Sequence, residues 1–283
     1  MPRALEGAFA VVTGAGRGLG KEIARALVAG GATVLLAGRS AERMARVCSE
    51  LGGRTAYAAV DLECADAAER LMARARELSP RLDVLVNNAA IQGPIGALWE
   101  NATGEWQRTI RVNLMAPVEL CRLAVPWMAE GGGGSIVNLA GGGATSARPR
   151  FSAYATAKAG LVRFTETLAH EAAAMNVRVN CVSPGAMSTD MLREILAAGA
   201  EQAGERECEA AAAGVERGEA TVRRAAELVA LLASPAAAGI TGRLISAVWD
   251  AWAALPERAA ELAESDIYTL RRILPEDRGK RWE

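Results

Sequence analysis

Seven short runs dominated by apolar residues recur along the chain, at residues 9–13, 33–37, 54–60, 82–86, 135–139, 177–182 and 244–248. Between them lie stretches rich in alanine, glutamate and arginine, a composition that favours helix. This alternation predicts parallel strands covered by helices on both faces. The expected fold is α/β and doubly wound, with a seven-stranded parallel sheet of Rossmann type.

No internal repeat suggests a solenoid, and no polar, proline-rich linker divides the chain. Residues 1–248 are expected to form one nucleotide-binding domain, with 249–283 as a C-terminal extension packed on it. The four glycines at 131–134 read as a permissive connection between a helix and a strand. Residues 187–219, rich in alanine and charge, follow a strand end where ligands of such sheets bind, and are expected to form a helical lid. In the tail, Pro256 opens a predicted helix over 257–263, a second is predicted over 266–274, and 275–283 is expected to fray. Trp249, Trp252 and Tyr268 can pack on their own domain, enclose a substrate or cover a second subunit.

Composition narrows the partners. A chain of 283 residues with formal net charge -1 gives no reason to expect nucleic acid or an anionic membrane surface, which leaves a small molecule. Cys48, Cys64, Cys121, Cys181 and Cys208 are scattered without CxxC spacing, as expected of a reducing, cytoplasmic compartment. The N-terminal residues lack the length and cleavage pattern of a signal peptide, and no apolar window is long enough to span a membrane. His170 is the only histidine and the carboxylates form no compact ligand pattern, so no metal is expected.

Between the first strand and an amphipathic stretch stands Thr13-Gly14-Ala15-Gly16-Arg17-Gly18-Leu19-Gly20. Glycines allow a tight turn and close approach to a pyrophosphate, while the amides at a helix start favour the anion. Gly14, Gly18, Leu19 and Gly20 are therefore cofactor candidates. The second strand ends in Gly38-Arg39, where an NAD-selective site commonly carries a carboxylate. Arg39, with Arg17 from the glycine loop, can instead form charge-assisted bonds to a 2′-phosphate, so NADP(H) is the expected cofactor.

From here the sequence resembles the short-chain dehydrogenase/reductase family, with its motifs in order over residues 7–242. Asp61-Leu62 resembles the adenine-side acidic position, Asn87-Asn88-Ala89-Ala90 the Asn-Asn-Ala-Gly segment, and Asn113 the asparagine of the catalytic tetrad. Tyr154-Ala155-Thr156-Ala157-Lys158 carries the Tyr-x-x-x-Lys signature. Pro184-Gly185 and Thr189 resemble the cofactor-contacting segment after the sixth strand.

Residues four apart share a helix face, so Tyr154 and Lys158 can serve one site, and an ammonium beside the phenol is expected to lower its pKa. The resemblance implies hydride transfer between a nicotinamide and a carbonyl carbon, with Tyr154 donating or accepting the oxygen's proton. It also implies that Lys158 and Asn88 contact the cofactor, that Asn113 positions a relay water, and that the chain assembles as a homodimer or homotetramer. The relay is the favoured role; the alternative for a helix-interior asparagine is a bond to nearby backbone.

The family's serine about thirteen residues before the tyrosine has no counterpart, because Ala140 and Gly141 carry no hydroxyl. Thr145 or Ser146 can swing in, or backbone amides of the glycine run can bind the oxygen, or no such donor is needed. Ser152, two residues before Tyr154, suits a helix N-cap. The expected function is NADP(H)-dependent interconversion of a ketone or aldehyde and an alcohol. A redox-neutral epimerase or dehydratase, or a low-activity nucleotide-sensing homologue, are the alternatives. The sequence names neither substrate nor direction.

Overall fold

The computed structural model describes residues 4–187 and 190–282. Seven parallel strands form one sheet in the order β3-β2-β1-β4-β5-β6-β7. They are β1 (Phe9–Thr13), β2 (Thr33–Gly38), β3 (Thr55–Ala59), β4 (Val84–Asn87), β5 (Gly134–Leu139), β6 (Val177–Ser183) and β7 (Leu244–Ser246). The helices between them are α1 (Gly18–Ala29), α2 (Ala41–Leu51), α3 (Ala67–Leu78), α4 (Thr103–Ile110), α5 (Ala116–Glu130), α6 (Ser152–Glu171), α7 (Asp190–Ala203) and α8 (Glu205–Ala233), with α9 (Ala259–Ala263) in the tail.

Every residue of β1 and β4 is buried, because helices cover both faces and leave no polar side for alternation to mark. On one face Leu19, Ile23 and Leu27 of α1 join Leu228 and Leu232 of α8 over Val12 and Val34. Leu71, Leu120 and Met128 of α3 and α5 cover Leu35 and Leu85 on the other. The spacing of four in Leu19, Ile23 and Leu27 places them on one face of α1, and burying each contributes about 1.5–3 kcal/mol. Val11 pairs with Leu35 on one side and Leu85 on the other. Strand order therefore reverses at β1 and β4, and the connections leaving their C-terminal ends part to open a crevice.

The stretch read as a lid comprises α7 and the first part of α8, broken at Gly199 and Gly218. Helix α8 continues past 219, and its second half packs Val222, Ala225 and Val229 into the core.

Three tertiary effects reshape the C-terminal end relative to the sequence pattern. β7 stops at Ser246 because its hydroxyl accepts from the amides of Val248 (3.3 Å) and Trp249 (3.1 Å), turning the chain. The helix predicted from Pro256 begins earlier, as a 3-10 turn over Trp252–Arg258 that leads into α9. Residues 266–274 form no helix. Buried Arg243 donates to the carbonyls of Leu262, Ser265 (2.9 Å) and Ile267 (2.8 Å), and the Leu244 amide to that of Tyr268 (2.8 Å). Carbonyls that a helix would use internally serve as tertiary anchors instead. Leu255 and Leu262 are buried in the core beneath, with Trp252 and Tyr268 packed against it, whereas Trp249 is exposed.

No helix among the described residues is long and apolar enough to cross a membrane. The five cysteines are free, and the described His, Cys, Asp and Glu residues form no cluster able to hold a metal.

Candidate active site

The crevice at the switch point is a cleft of about 910 Å³. Thr13 fixes its floor: the hydroxyl accepts from the amides of Asn88 (3.0 Å) and Ala89 (3.1 Å), and the Asn88 carboxamide donates to the Thr13 carbonyl at 2.9 Å. The turn into α1 passes through Gly14 and Gly18 at φ 67° and 52°. A Cβ at Gly20 would meet the Gly14 carbonyl and lie 2.5 Å from Asn88 Nδ2, so only glycine lets the helix start this close. No side chain caps α1 and no acidic residue occupies its first turn, which leaves positively polarised amides facing the cleft. This cradle fits a dinucleotide pyrophosphate.

Among the sequence-predicted positions, Gly14, Arg17, Gly18, Leu19, Gly20, Arg39, Asp61, Leu62, Asn88, Tyr154, Lys158 and Pro184 all line this one cleft. Gly185 does not, standing instead where a Cβ would lie 2.5 Å from Val248 Cγ2. Thr189 lies outside the described residues.

At the β2 end of the cleft, a Cβ on Gly38 would come within 3.0 Å of Met44, so the place of an NAD-type carboxylate is partly filled by a thioether. Arg39 stands 3.9 Å from Glu63, which Arg108 holds at 2.5 Å, and Arg17 pairs with Asp190 at the start of α7. The Glu63 carboxyl is accordingly held below its usual range, first by the Arg108 hydrogen bond. Arg17 is pushed below its ordinary value by burial and by the fields of Arg43, Arg39 and Arg193, with Glu194 opposing. Sequence reading missed Arg43, whose place in the first turn of α2 was legible as four residues beyond Arg39. It missed Asp190, Arg193 and Glu194 because only the fold brings α7 to the cleft.

Helix α6 carries Tyr154 and Lys158 one turn apart, both buried. Lys158 Nζ donates to the Leu139 carbonyl at the end of β5 (2.7 Å) and lies 5.8 Å from the Tyr154 ring centroid. Burial lowers the Lys158 ammonium to about 8. Burial also raises the Tyr154 phenol, opposed only by the charge of Arg148. The expected lowering by Lys158 is absent in this arrangement, because the ammonium faces Leu139 and loss of solvent dominates both groups.

Asn113 sits where α4 and α5 are joined by a π-turn over Arg111–Met115. Fully buried behind the cleft, its carboxamide accepts from the Ile91 amide (2.9 Å) and donates to the Ile91 carbonyl (2.8 Å). Both atoms anchor a loop distant in sequence, a different role from bonding its own helix. Ser152 is the first residue of α6, and its hydroxyl accepts from Trp106 Nε1 at 3.2 Å instead of capping the helix.

Residues 8–199 match the family described as short chain dehydrogenase. The chain belongs to that family. A short chain dehydrogenase/reductase, astE, of Aspergillus oryzae is 33% identical over 247 residues, covering 86% of this chain and 94% of the relative. The 3-oxoacyl-[acyl-carrier-protein] reductase FabG of Chlamydia pneumoniae is 35% identical over 66% of this chain and 76% of its own. A crystal structure of 3-ketoacyl-(acyl-carrier-protein) reductase from Brucella melitensis complexed with NADH superposes with TM-score 0.76 at 28% identity, covering 86% of this chain and 97% of that one. Short chain dehydrogenases are oxidoreductases that use NAD(P)(H) and act on small molecules.

Within this short chain dehydrogenase, the segment lacking the serine is pressed against the tyrosine. A Cβ on Gly141 would lie 2.9 Å from Tyr154 Cε1 and Cζ and nearer still to the hydroxyl. Thr145 and Ser146 are exposed and outside the cleft lining, so neither hydroxyl stands in for the missing one here. The side chain that does approach is Arg148, which sequence reading missed. Its guanidinium lies 3.9 Å from the Phe151 ring centroid and 5.5 Å from that of Tyr154, and it pairs with Glu207 of α8 at 2.7 Å. Its neighbour Arg150 donates to the carbonyls of Glu201 and Gln202 (3.1 Å) near the end of α7. Phe151 packs with Ile195, Ala203 and Ala211, so α7 and α8 dock on the segment that precedes Tyr154. The signal available beforehand was Arg148-Pro149-Arg150, two cations flanking a proline just before α6.

Proposed function

We propose that the protein is an NADP(H)-dependent oxidoreductase interconverting a ketone or aldehyde and an alcohol. One observation carries this reading: Tyr154 and Lys158, one turn apart on α6, face the same cleft that the glycine turn and α1 close at its other end. The first turn of α1 would hold the pyrophosphate. Arg17, Arg39 and Arg43 would hold a 2′-phosphate where Gly38 presents no carboxylate to repel it. The Brucella relative was complexed with NADH, so the preference for NADP rests on this chain's own arginines.

Held in this cleft, NADP(H) would supply the hydride donor or acceptor for the carbonyl carbon. As the C=O π pair moves to oxygen, Tyr154 Oη gives that oxygen its proton; oxidation runs the same path backward. Lys158, whose ammonium donates to the Leu139 carbonyl, would hold the nicotinamide ribose as the family pattern implies, while the charge that reaches the phenol is that of Arg148. Asn113 holds the Ile91 loop against the cleft and, in the family pattern, supports a water between Lys158 and solvent. The lid and the tail are read as parts of one NADP-binding domain that assembles as a homo-oligomer.

The test is stoichiometric: wild type and Tyr154→Phe are incubated with NADPH or NADH and a panel of ketones and aldehydes, with product identified by mass. The reading requires one alcohol formed per NADPH consumed, loss of turnover in Tyr154→Phe, and weaker use of NADH. The missing hydroxyl at Gly141 favours a second reading, redox-neutral chemistry on retained NADP(H), which the same experiment detects as product without net NADPH consumption.

A further inference from the structure

Arg148 and Glu207 form an ion pair beside the Tyr154 ring, and the proposed oxidoreductase chemistry does not use it. Arg148 donates from both Nε (3.0 Å) and Nη2 (2.7 Å) to a single oxygen of Glu207, while Nη1 has no partner among the described residues. The Arg148 side chain is 11% exposed. Its stem lies along Gly142, where a Cβ would stand 3.5 Å from Nε. The guanidinium lies 5.5 Å from the Tyr154 ring centroid, on the side where Glu207 of α8 meets it and outside the lining of the open cleft. Its field reaches the phenol, as the only influence opposing the burial that raises Tyr154.

A cation this enclosed needs an anion. The residue that supplies it, Glu207, comes from the first turn of α8, within the stretch read as a lid. We propose that the Glu207 carboxylate occupies the position of a substrate carboxylate, and that the enzyme acts on oxo acids or the matching hydroxy acids, with Arg148 binding the acid group while Tyr154 serves the carbonyl or hydroxyl. The inference rests on the oxidoreductase reading above. Entry of the acid exchanges one carboxylate for another on Arg148, so the buried cation is never left unpaired, and the freed Glu207 swings out with α8. Electrons and protons balance as in the carbonyl reduction already described, since Arg148 neither gains nor loses a proton. Arg150 has a separate job: it holds α7 through the main-chain carbonyls of Glu201 and Gln202.

The experiment is calorimetric binding of short straight-chain 2- and 3-oxo acids, and of their primary amides, to the cofactor-saturated protein. This readout does not need turnover, so its failure is distinguishable from failure of the oxidoreductase reading. At least one acid should bind about 10- to 100-fold more tightly than its amide, the range expected for a hydrogen-bonded charge pair. Arg148→Gln should abolish that preference while leaving amide binding within about threefold. Glu207→Gln should tighten acid binding severalfold, because it removes the competing carboxylate; a purely structural clasp would instead weaken acid and amide alike. Arg150→Gln should shift both ligands equally. The proposal is overturned if no acid exceeds its amide, or if Glu207→Gln weakens acid binding.

Discussion

Substituting Gly141 by alanine tests whether the glycine is pressed against Tyr154, the proposed proton donor, in the working enzyme. Gly141 does not have a positive φ, so the main chain accepts an L residue and the conflict falls on Tyr154. The new methyl would lie 2.9 Å from ring atoms Cε1 and Cζ and closer to the hydroxyl, where ordinary contact begins at 3.4 Å. Tyr154 is only 7% exposed and has little room to retreat. Overpacking of this kind costs about 1–3 kcal/mol. A displacement of about 1 Å in a proton donor lowers the rate about 100-fold. Measured as kcat/KM for carbonyl reduction, Gly141→Ala should therefore fall by about two orders of magnitude, while NADPH affinity, followed by cofactor fluorescence, stays unchanged. Gly141→Ser should fare no better, although it restores the family's hydroxyl, because the same Cβ displaces the same phenol. Activity of Gly141→Ala within about threefold of wild type, or a higher kcat in Gly141→Ser, would refute the reasoning, since either requires the loop to stand away from Tyr154 during turnover.

Three further outcomes follow from the same geometry. Lys158 has a folded pKa of about 8 against an ordinary 10.5, so between those values the unfolded chain holds a proton that the folded chain lacks, and stability rises with pH across the window. Wild type should gain about 3 kcal/mol relative to Lys158→Met between pH 8 and pH 10.5, read from urea unfolding at each pH, and a pH-independent difference would count against the buried ammonium. Arg39→Gln combined with Arg43→Gln should raise the NADPH KM about 10- to 100-fold and leave that for NADH nearly unchanged; equal effects on both cofactors would remove the arginines from the 2′-phosphate. Arg243→Met should lose about 2–4 kcal/mol in urea unfolding, because three tail carbonyls lose their donor, and a change below about 1 kcal/mol would mean that water replaces it.

The parallel sheet was legible because burial on both faces writes uninterrupted apolar runs, and the strand ends moved where side chains took over the backbone. β4 starts at Val84 instead of residue 82, for example, where the Asp83 carboxylate accepts the Phe9 amide at 2.8 Å. The tail was misread for a related reason. Residues 266–274 have helical composition, yet a single buried arginine from outside the segment outcompetes local propensity for the neighbouring carbonyls.

The candidate site divides along the same line. Tyr154 and Lys158 are four residues apart, and the glycine turn is contiguous, so helical geometry and main-chain sterics alone expose them. Arg148 and Glu207 are 59 positions apart, one just before α6 and one on α8, and no periodicity joins them. The absent serine was legible as a loss but not as a rearrangement. With no side chain at Gly141, the phenol lies against the main chain there; with none at Gly142, the Arg148 stem lies along the loop and its guanidinium comes over the ring. The bare Cα positions at Gly141 and Gly142 and the guanidinium near the ring thus belong to one packing arrangement. A variant that restores the serine without moving Arg148 alters only half of it, which is why the glycine and the arginine must be tested together before either is assigned the family's lost hydrogen bond.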